Sequence, residues 1–172
     1  RPAFDPNKFA SGITKKDWQA IALDSAHPLQ NRVIQGRYPP GSTFKILTAL
    51  KALEDGLINA STSYGCRGGF PFGNRIFKCW KKGGHGTVNV HRGIVESCDV
   101  FFYNIGLKLG VDRIHSFGTS VGLGKPSGID LPSEARGLLP STEWKRKTQG
   151  VPWYEGETVS VAIGQGAVWL TP

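Results

Sequence analysis

The sequence predicts an α+β chain that leans towards helix, and three observations carry that expectation. Apolar residues recur at helical spacing in separate segments, over 44–53, 90–109 and 112–121. A glycine-rich stretch from 57 to 87 has no helical period. Late in the chain, Thr158-Val-Ser-Val-Ala-Ile163 alternates as an extended strand does. A length of 172 residues suffices for one sizeable core, so a single domain over 1–172 is expected.

Composition narrows the class. With 39% hydrophobic and 20% charged residues the chain reads as globular, and Gly 23 with Pro 11 points to many turns. No apolar run approaches the roughly 18 residues that a membrane span needs, and the start Arg-Pro-Ala-Phe-Asp-Pro is not a signal peptide, so the chain is expected to be soluble. The net charge of +8 suits an anionic partner. The basic residues are scattered, with Lys145-Arg146-Lys147 the longest cluster, which argues against a nucleic-acid-binding stripe. Three cysteines leave one unpaired in an oxidising compartment and point to a metal or a buried thiol.

Taken in order, residues 1–13 are expected to be extended, because Pro2 and Pro6 exclude regular helix. Thr14-Lys-Lys-Asp17 resembles a capping box, and Trp18 and Ile21 give a short amphipathic helix to about Asp24. From Leu29 to Tyr38 the chain should run extended, with Asn31-Arg32 fixing its approach to the next element. Pro39-Pro40-Gly41 forbids helix, after which Phe44, Leu47, Leu50 and Leu53 recur at helical spacing until Gly56.

Ser42 therefore stands at a helix start with Lys45 three residues on, one turn along the same face, where the amine can reach the hydroxyl. This places a nucleophile beside a potential base. The helix N-terminus favours an alkoxide at Ser42, and burial of Lys45 favours its neutral, proton-accepting form. Alone, Ser-x-x-Lys occurs by chance roughly once in a chain of this size and equally fits an N-capping Ser with a solvated Lys.

The stretch 57–87 is expected to be a glycine-rich, aromatic-lined loop region. It holds Cys66, Cys79 and His85 in the spacing C-x12-C-x5-H, and Cys98 follows after twelve further residues. These four fit a closed, structural zinc site of the Cys3His type. A Cys66–Cys79 disulfide and unrelated buried thiols are the alternatives. Ser97-Cys98-Asp99 lies between helical segments 90–96 and 100–109, so a turn can present Ser97 and Asp99; the same triplet is also a common N-cap. Asp112 should cap a helix to Val121, ended by Gly122. A loop follows over 122–132, and Ser141-Thr-Glu-Trp144 begins a brief helix.

Together these residues resemble the transpeptidase domain of the penicillin-binding proteins. Pro-Pro-Gly-Ser42-Thr-Phe-Lys45 looks like the family's first motif, and Ser97-Cys98-Asp99 stands where its second, Ser-x-Asn, belongs. Asp in place of Asn is similar to the class B, elongation-specific subgroup, penicillin-binding protein 2. Further similarity runs through Trp80-Lys-Lys-Gly-Gly-His-Gly86, Gly128-Ile-Asp-Leu-Pro132, Trp144-Lys145, Pro152-Trp-Tyr-Glu-Gly156 and Ile163-Gly-Gln-Gly166, covering nearly the whole chain. The family's third motif, Lys-Thr/Ser-Gly, is absent: Lys147-Thr148-Gln149 is neither that triplet nor in its place.

The resemblance implies a penicillin-binding/serine β-lactamase-like α+β fold, here mainly its helical subdomain, with much of the five-stranded antiparallel sheet outside the sequence. It implies a peptidoglycan D,D-transpeptidase that cross-links stem peptides through a serine acyl-enzyme in cell elongation and rod shape. Ser42 would be the nucleophile, Lys45 its base, Ser97 a proton relay and Asp99 their orienter. Expected partners are D-Ala-D-Ala stem peptides, β-lactams and elongation-complex proteins including a membrane glycosyltransferase, with no nucleic acid. The expected location is the periplasm, on an inner-membrane anchor outside this chain. Without the third motif, the fragment alone is expected to carry the nucleophile but not a working site. A serine β-lactamase or D,D-carboxypeptidase, which must activate water, and a non-catalytic zinc-stabilised module are the other classes the residues allow.

Overall fold

The computed structural model describes residues 3–172. The extended start expected for residues 1–2 lies outside them, and within the same segment Asn7–Ala10 forms one helical turn, α1, rather than continuing extended. Pro6 permits this because a proline just ahead of the first turn gives up no helical N–H. Helix α2, Lys15–Ala22, has the expected cap: Thr14 Oγ1 accepts from Asp17 N at 3.1 Å. The Leu29–Tyr38 segment is interrupted by a single turn, α3, Arg32–Gln35, because the Asn31 carboxamide accepts from Val33 N at 3.2 Å and starts a helix there.

A 3₁₀ turn at Gly41–Phe44 leads straight into α4, Lys45–Glu54. The glycine-rich stretch is not irregular loop. It forms two nested antiparallel pairs: β1 (Ser63–Cys66) with β4 (Gly86–Asn89), and inside them β2 (Gly69–Phe72) with β3 (Arg75–Lys78). Strands of four residues stand at the lower limit of length at which alternation can be read from sequence. Nesting has a geometric consequence: Cys66 at the end of β1, Cys79 just past β3 and His85 just before β4 all meet at the neck between the two pairs.

Helices α5 (Val90–Val95), α6 (Asp99–Leu109) and α7 (Val111–Ser120) follow the predicted periodicity. Asp112 does not cap α7. Gly110 occupies that position, and the Asp112 carboxylate instead accepts from Thr142 N and Oγ1, both at 2.8 Å, tying α7 to the start of α8, Thr142–Gln149. The segment expected to be a strand over 158–163 is mostly helix: α9 spans Glu155–Val161. Its β-branched residues misled the alternation. Thr158, Val159 and Val161 all pack inwards, and the Glu157 carboxylate accepts from Tyr154 N at 3.0 Å, so an N-terminal anchor and tertiary burial outweigh strand propensity.

Helix α6 is the centre of the core. Val100, Phe101, Phe102, Ile105 and Leu109 are buried on it, and α4, α7, α9 and β1 pack around it. The α6–α9 contact is close enough that a Cβ on Gly106 would collide with Ala162 Cβ. The inner hairpin closes over the same helix, Phe70 and Phe77 each lying 5.8 Å, ring to ring, from Tyr103, whose hydroxyl donates to Lys78 O at 3.0 Å. The arrangement is the α+β class expected, helix-rich with small antiparallel pairs.

Phe101 is fully buried between Tyr64 and Phe102, so Phe101→Ala leaves a cavity at the centre of the fold. It should cost about 3–5 kcal/mol, read as a lower urea midpoint at unchanged slope. A loss below about 1 kcal/mol would place the core elsewhere.

Candidate active site

The Ser42 turn is made by Pro40 and by Gly41, whose φ of +57° suits glycine. Lys45, the first residue of α4, runs inwards and is only 2% exposed. Its amine donates to Ser97 O at 2.9 Å, to Ser97 Oγ at 2.9 Å and to Asp99 Oδ1 at 2.6 Å. Those three acceptors use the three N–H directions an ammonium has. Ser42 Oγ is reached one step further on, by a 2.9 Å hydrogen bond from Ser97 Oγ. The expected direct Lys45–Ser42 contact is thus replaced, among the described residues, by a chain through Ser97. The Phe102 ring lies 5.5 Å from Lys45 Nζ and adds a cation–π contact on the buried side.

Ser97 holds a backbone conformation rare for a residue with a side chain, φ +50°. Such positions cost on the order of 1–3 kcal/mol and persist only when neighbours over-determine them. Here Ser97 N donates to Ile94 O at 3.2 Å and Cys98 N donates to Gly93 O at 3.0 Å. The left-handed turn lets the carbonyl and hydroxyl of one residue face the same amine. Asp99 opens α6 and is satisfied on both oxygens, Oδ1 by Lys45 and Oδ2 by Trp80 N at 3.0 Å. That backbone donor carries no sequence signal, since any residue but proline at position 80 supplies it. Trp80 also reaches Glu96 O through its indole N–H at 3.1 Å, clamping the hairpin neck to the Ser97 turn. A cleft of about 500 Å³ opens beside Ser97, lined by Trp80, Lys81, His85, Val95 and Glu96.

Cys66, Cys79, His85 and Cys98 converge directly behind this site. Their ligand atoms all lie within 4.8 Å of one another, all four side chains are buried, and the set could hold a metal ion. The three cysteines are free thiols, so the Cys66–Cys79 disulfide considered from sequence does not form. His85 Nδ1 stands 3.6 Å from Cys66 Sγ and 3.5 Å from Cys79 Sγ. Its Nε2 is buried with no hydrogen-bond partner among the described residues.

Burial pushes the Cys98 thiol up to about 12. At Cys66 burial also opposes the thiolate, but backbone N–H groups of Gly68 and His85, with the neighbouring thiols, outweigh it and hold that thiol below its usual range. Arg92 is a further residue that spacing did not single out. Its guanidinium donates to His85 O at 3.2 Å and Thr87 O at 2.6 Å while pairing with Glu96, bracing the strand that delivers His85.

Comparison with known proteins gives the family. The family described as Penicillin binding protein transpeptidase domain matches residues 1–172. Peptidoglycan D,D-transpeptidase MrdA of Acinetobacter baumannii is 43% identical over 99% of this chain and 26% of its own length. MrdA of Escherichia coli strain K12 is 43% identical over 99% of this chain and 27% of its own. The chain thus spans about a quarter of the length of the curated relatives it matches. Among solved structures, Pseudomonas aeruginosa PBP2 in complex with WCK 5153 superposes with a TM-score of 0.93 at 39% identity, over 99% of this chain and 39% of that one. Helicobacter pylori PBP2, solved as a complex with MreC, gives 0.89 at 38% identity, over 93% of this chain and 30% of that one. A match along the whole chain, on a fold that brings the serine, lysine, serine and aspartate of two separate motifs into one hydrogen-bonded group, means that the chain belongs to the penicillin-binding protein transpeptidase family.

Proposed function

We propose that this chain is part of a peptidoglycan D,D-transpeptidase domain and supplies its nucleophile and proton chemistry. The observation that carries the proposal is the continuous hydrogen-bonded path from Lys45 Nζ through Ser97 Oγ to Ser42 Oγ, anchored by Asp99. Two partners of Lys45, the Ser97 carbonyl and the Asp99 carboxylate, can only accept. The third, the Ser97 hydroxyl, can accept or donate. A neutral Lys45 therefore keeps two N–H bonds fixed and turns its lone pair to Ser97.

In that state Ser42 O–H donates to Ser97 and Ser97 O–H donates to Lys45. As Ser42 Oγ bonds to the carbonyl carbon of the penultimate D-Ala, its proton passes along this path to the amine. The same path returns a proton to the departing D-Ala nitrogen as the peptide C–N bond breaks. The acyl-enzyme is then attacked by an amine of a second stem peptide, whose surplus proton leaves by the same route, and Ser42 is released with its hydrogen. A β-lactam follows the first half, its ring amide opening onto Ser42.

We further propose zinc as the ion for the Cys66, Cys79, His85 and Cys98 set. Tetrahedral zinc with bonds of about 2.3 Å to sulfur and 2.05 Å to nitrogen puts those atoms about 3.6 Å apart. The observed separations of 3.6 and 3.5 Å support that reading, as does the all-soft and borderline donor set. Four protein ligands leave no open position, so the ion's contribution is structural: it fixes the hairpin neck to the start of α6. The partners proposed are stem peptides, β-lactams and elongation-complex proteins including a membrane glycosyltransferase. The relatives solved with MreC and within a peptidoglycan synthase complex support that last group. The location proposed is the periplasm, with the membrane anchor elsewhere in the protein; among the described residues no helix is long and apolar enough to cross a membrane.

Intact-mass spectrometry after incubation with a penicillin should show one covalent adduct on the full-length protein carrying this chain. Ser42→Ala should abolish it, and Lys45→Ala should slow its formation by about 10²–10⁴-fold. An adduct that persists in Ser42→Ala refutes the assignment of the nucleophile.

Metal analysis should find one zinc per chain, and Cys79→Ser or His85→Ala should lower both zinc content and thermal midpoint. The Cys98 thiol, pushed up to about 12, holds its proton at neutral pH until metal displaces it. Zinc affinity should therefore rise between pH 6.5 and 8.5 by about tenfold per unit for each proton released, measured by chelator competition. Affinity independent of pH would contradict a thiol-displacing site.

A further inference from the structure

The C-terminal end of α9 bears directly on the turn that carries Ser42. Gly41 N donates to Gly164 O at 2.9 Å, backbone to backbone, one residue ahead of Ser42. Gly164 has φ +70°, the left-handed region that favours glycine. A Cβ there would collide with Gly41 O and stand 2.6 Å from Phe44 Cβ and 2.9 Å from Gly41 N. None of these atoms is the free end of a flexible side chain, so none can swing aside.

A second tie lies two residues earlier. Thr48, fully buried on α4, donates its hydroxyl to Ala162 O at 2.9 Å. Ala162 in turn abuts Gly106 on α6, the helix that begins at Asp99. Residues 162–164 therefore touch both the element bearing Ser42 and Lys45 and the element bearing Asp99. They fix the spacing across which Ser97 Oγ and Ser42 Oγ stand 2.9 Å apart.

We propose that Gly164, backed by the Thr48–Ala162 hydrogen bond, is a positioning residue for the Ser42 nucleophile. It touches no substrate and acts through Gly41. The inference rests on the acyl-transfer reading above, and displacements of about 1 Å at a nucleophile are enough to cost about 100-fold in rate.

The test is stopped-flow acylation of the full-length protein carrying this chain by a fluorescent penicillin. The first-order acylation constant is separated from the non-covalent dissociation constant, and far-ultraviolet circular dichroism checks folding. Gly164→Ala should lower the acylation constant by about 100-fold while leaving the dissociation constant within about twofold. Thr48→Val, which keeps the shape and deletes the donor, should lower it by about tenfold, and Thr48→Ser should restore it.

If the unsubstituted protein forms no Ser42-dependent adduct, the acyl-transfer reading and this inference fall together. Should it acylate normally while folded Gly164→Ala acylates within twofold of it, only the positioning role is overturned. Equal losses in rate and affinity, or a Thr48→Ser protein as slow as Thr48→Val, also overturn it. Where Gly164→Ala does not fold, the Thr48 pair decides: a slow Val and a restored Ser support the role, and two unchanged rates refute it.

Discussion

The buried Lys45 amine is the constraint around which the site is arranged. At 2% exposure its N–H groups have no water to fall back on, and leaving a buried polar group without its partner costs on the order of 1–3 kcal/mol. Asp99 must therefore stand at the start of α6, facing α4, and the Ser97 carbonyl must turn inwards. The left-handed backbone at Ser97 follows from that requirement: one residue satisfies two N–H directions and still offers its hydroxyl to Ser42. The local strain is repaid by the amine it coordinates. Removing any acceptor would expose the others' dependence on it, because the path to Ser42 exists only while the amine is held in place.

Much of this was legible before any coordinates. Helical spacing located α4, α6 and α7, because their apolar faces are long enough to show a period. The two motifs named Ser42, Lys45, Ser97 and Asp99, and the spacing of Cys66, Cys79, His85 and Cys98 named the buried cluster. The failures share a physical cause, which is that short elements are decided by what they pack against. The 158–163 alternation gave way to α9 because one Glu157 carboxylate anchors its start and α6 takes its apolar side. The hairpins were invisible because four-residue strands carry two side chains per face. Backbone donors such as Trp80 N and Gly41 N were unreadable in principle, since every non-proline residue has one.

The order of contacts along the chain also shows how the glycine-rich stretch is tied to the Lys45–Ser97–Ser42 group. Three short elements meet here, the outer pair, the inner hairpin and the Ser97 turn. Aromatic packing of Phe70 and Phe77 on Tyr103 secures the hairpin to α6. At the neck the buried thiols and imidazole converge, Trp80 bonds to Asp99 and Glu96, and Arg92 braces the far side through the carbonyls of His85 and Thr87.

Sequence adjacency also ties that cluster to the Ser97–Asp99 turn. Cys79 precedes Trp80, whose N–H binds Asp99 Oδ2, and Cys98 precedes Asp99 itself. Donor and acceptor of a single hydrogen bond are each one peptide unit from a member of the same buried set. Holding Cys79 and Cys98 together therefore fixes the Trp80–Asp99 bond. Fixing one carboxylate oxygen sets the direction of the other, which is the oxygen that pairs Lys45. Two supports thus meet the hydrogen-bonded group: the buried cluster flanks the Trp80–Asp99 bond, and the residues after α9 seat the turn before Ser42. Neither support shares an atom with the hydrogen-bonded path from Lys45 to Ser42, so each can be weakened without deleting any member of that path.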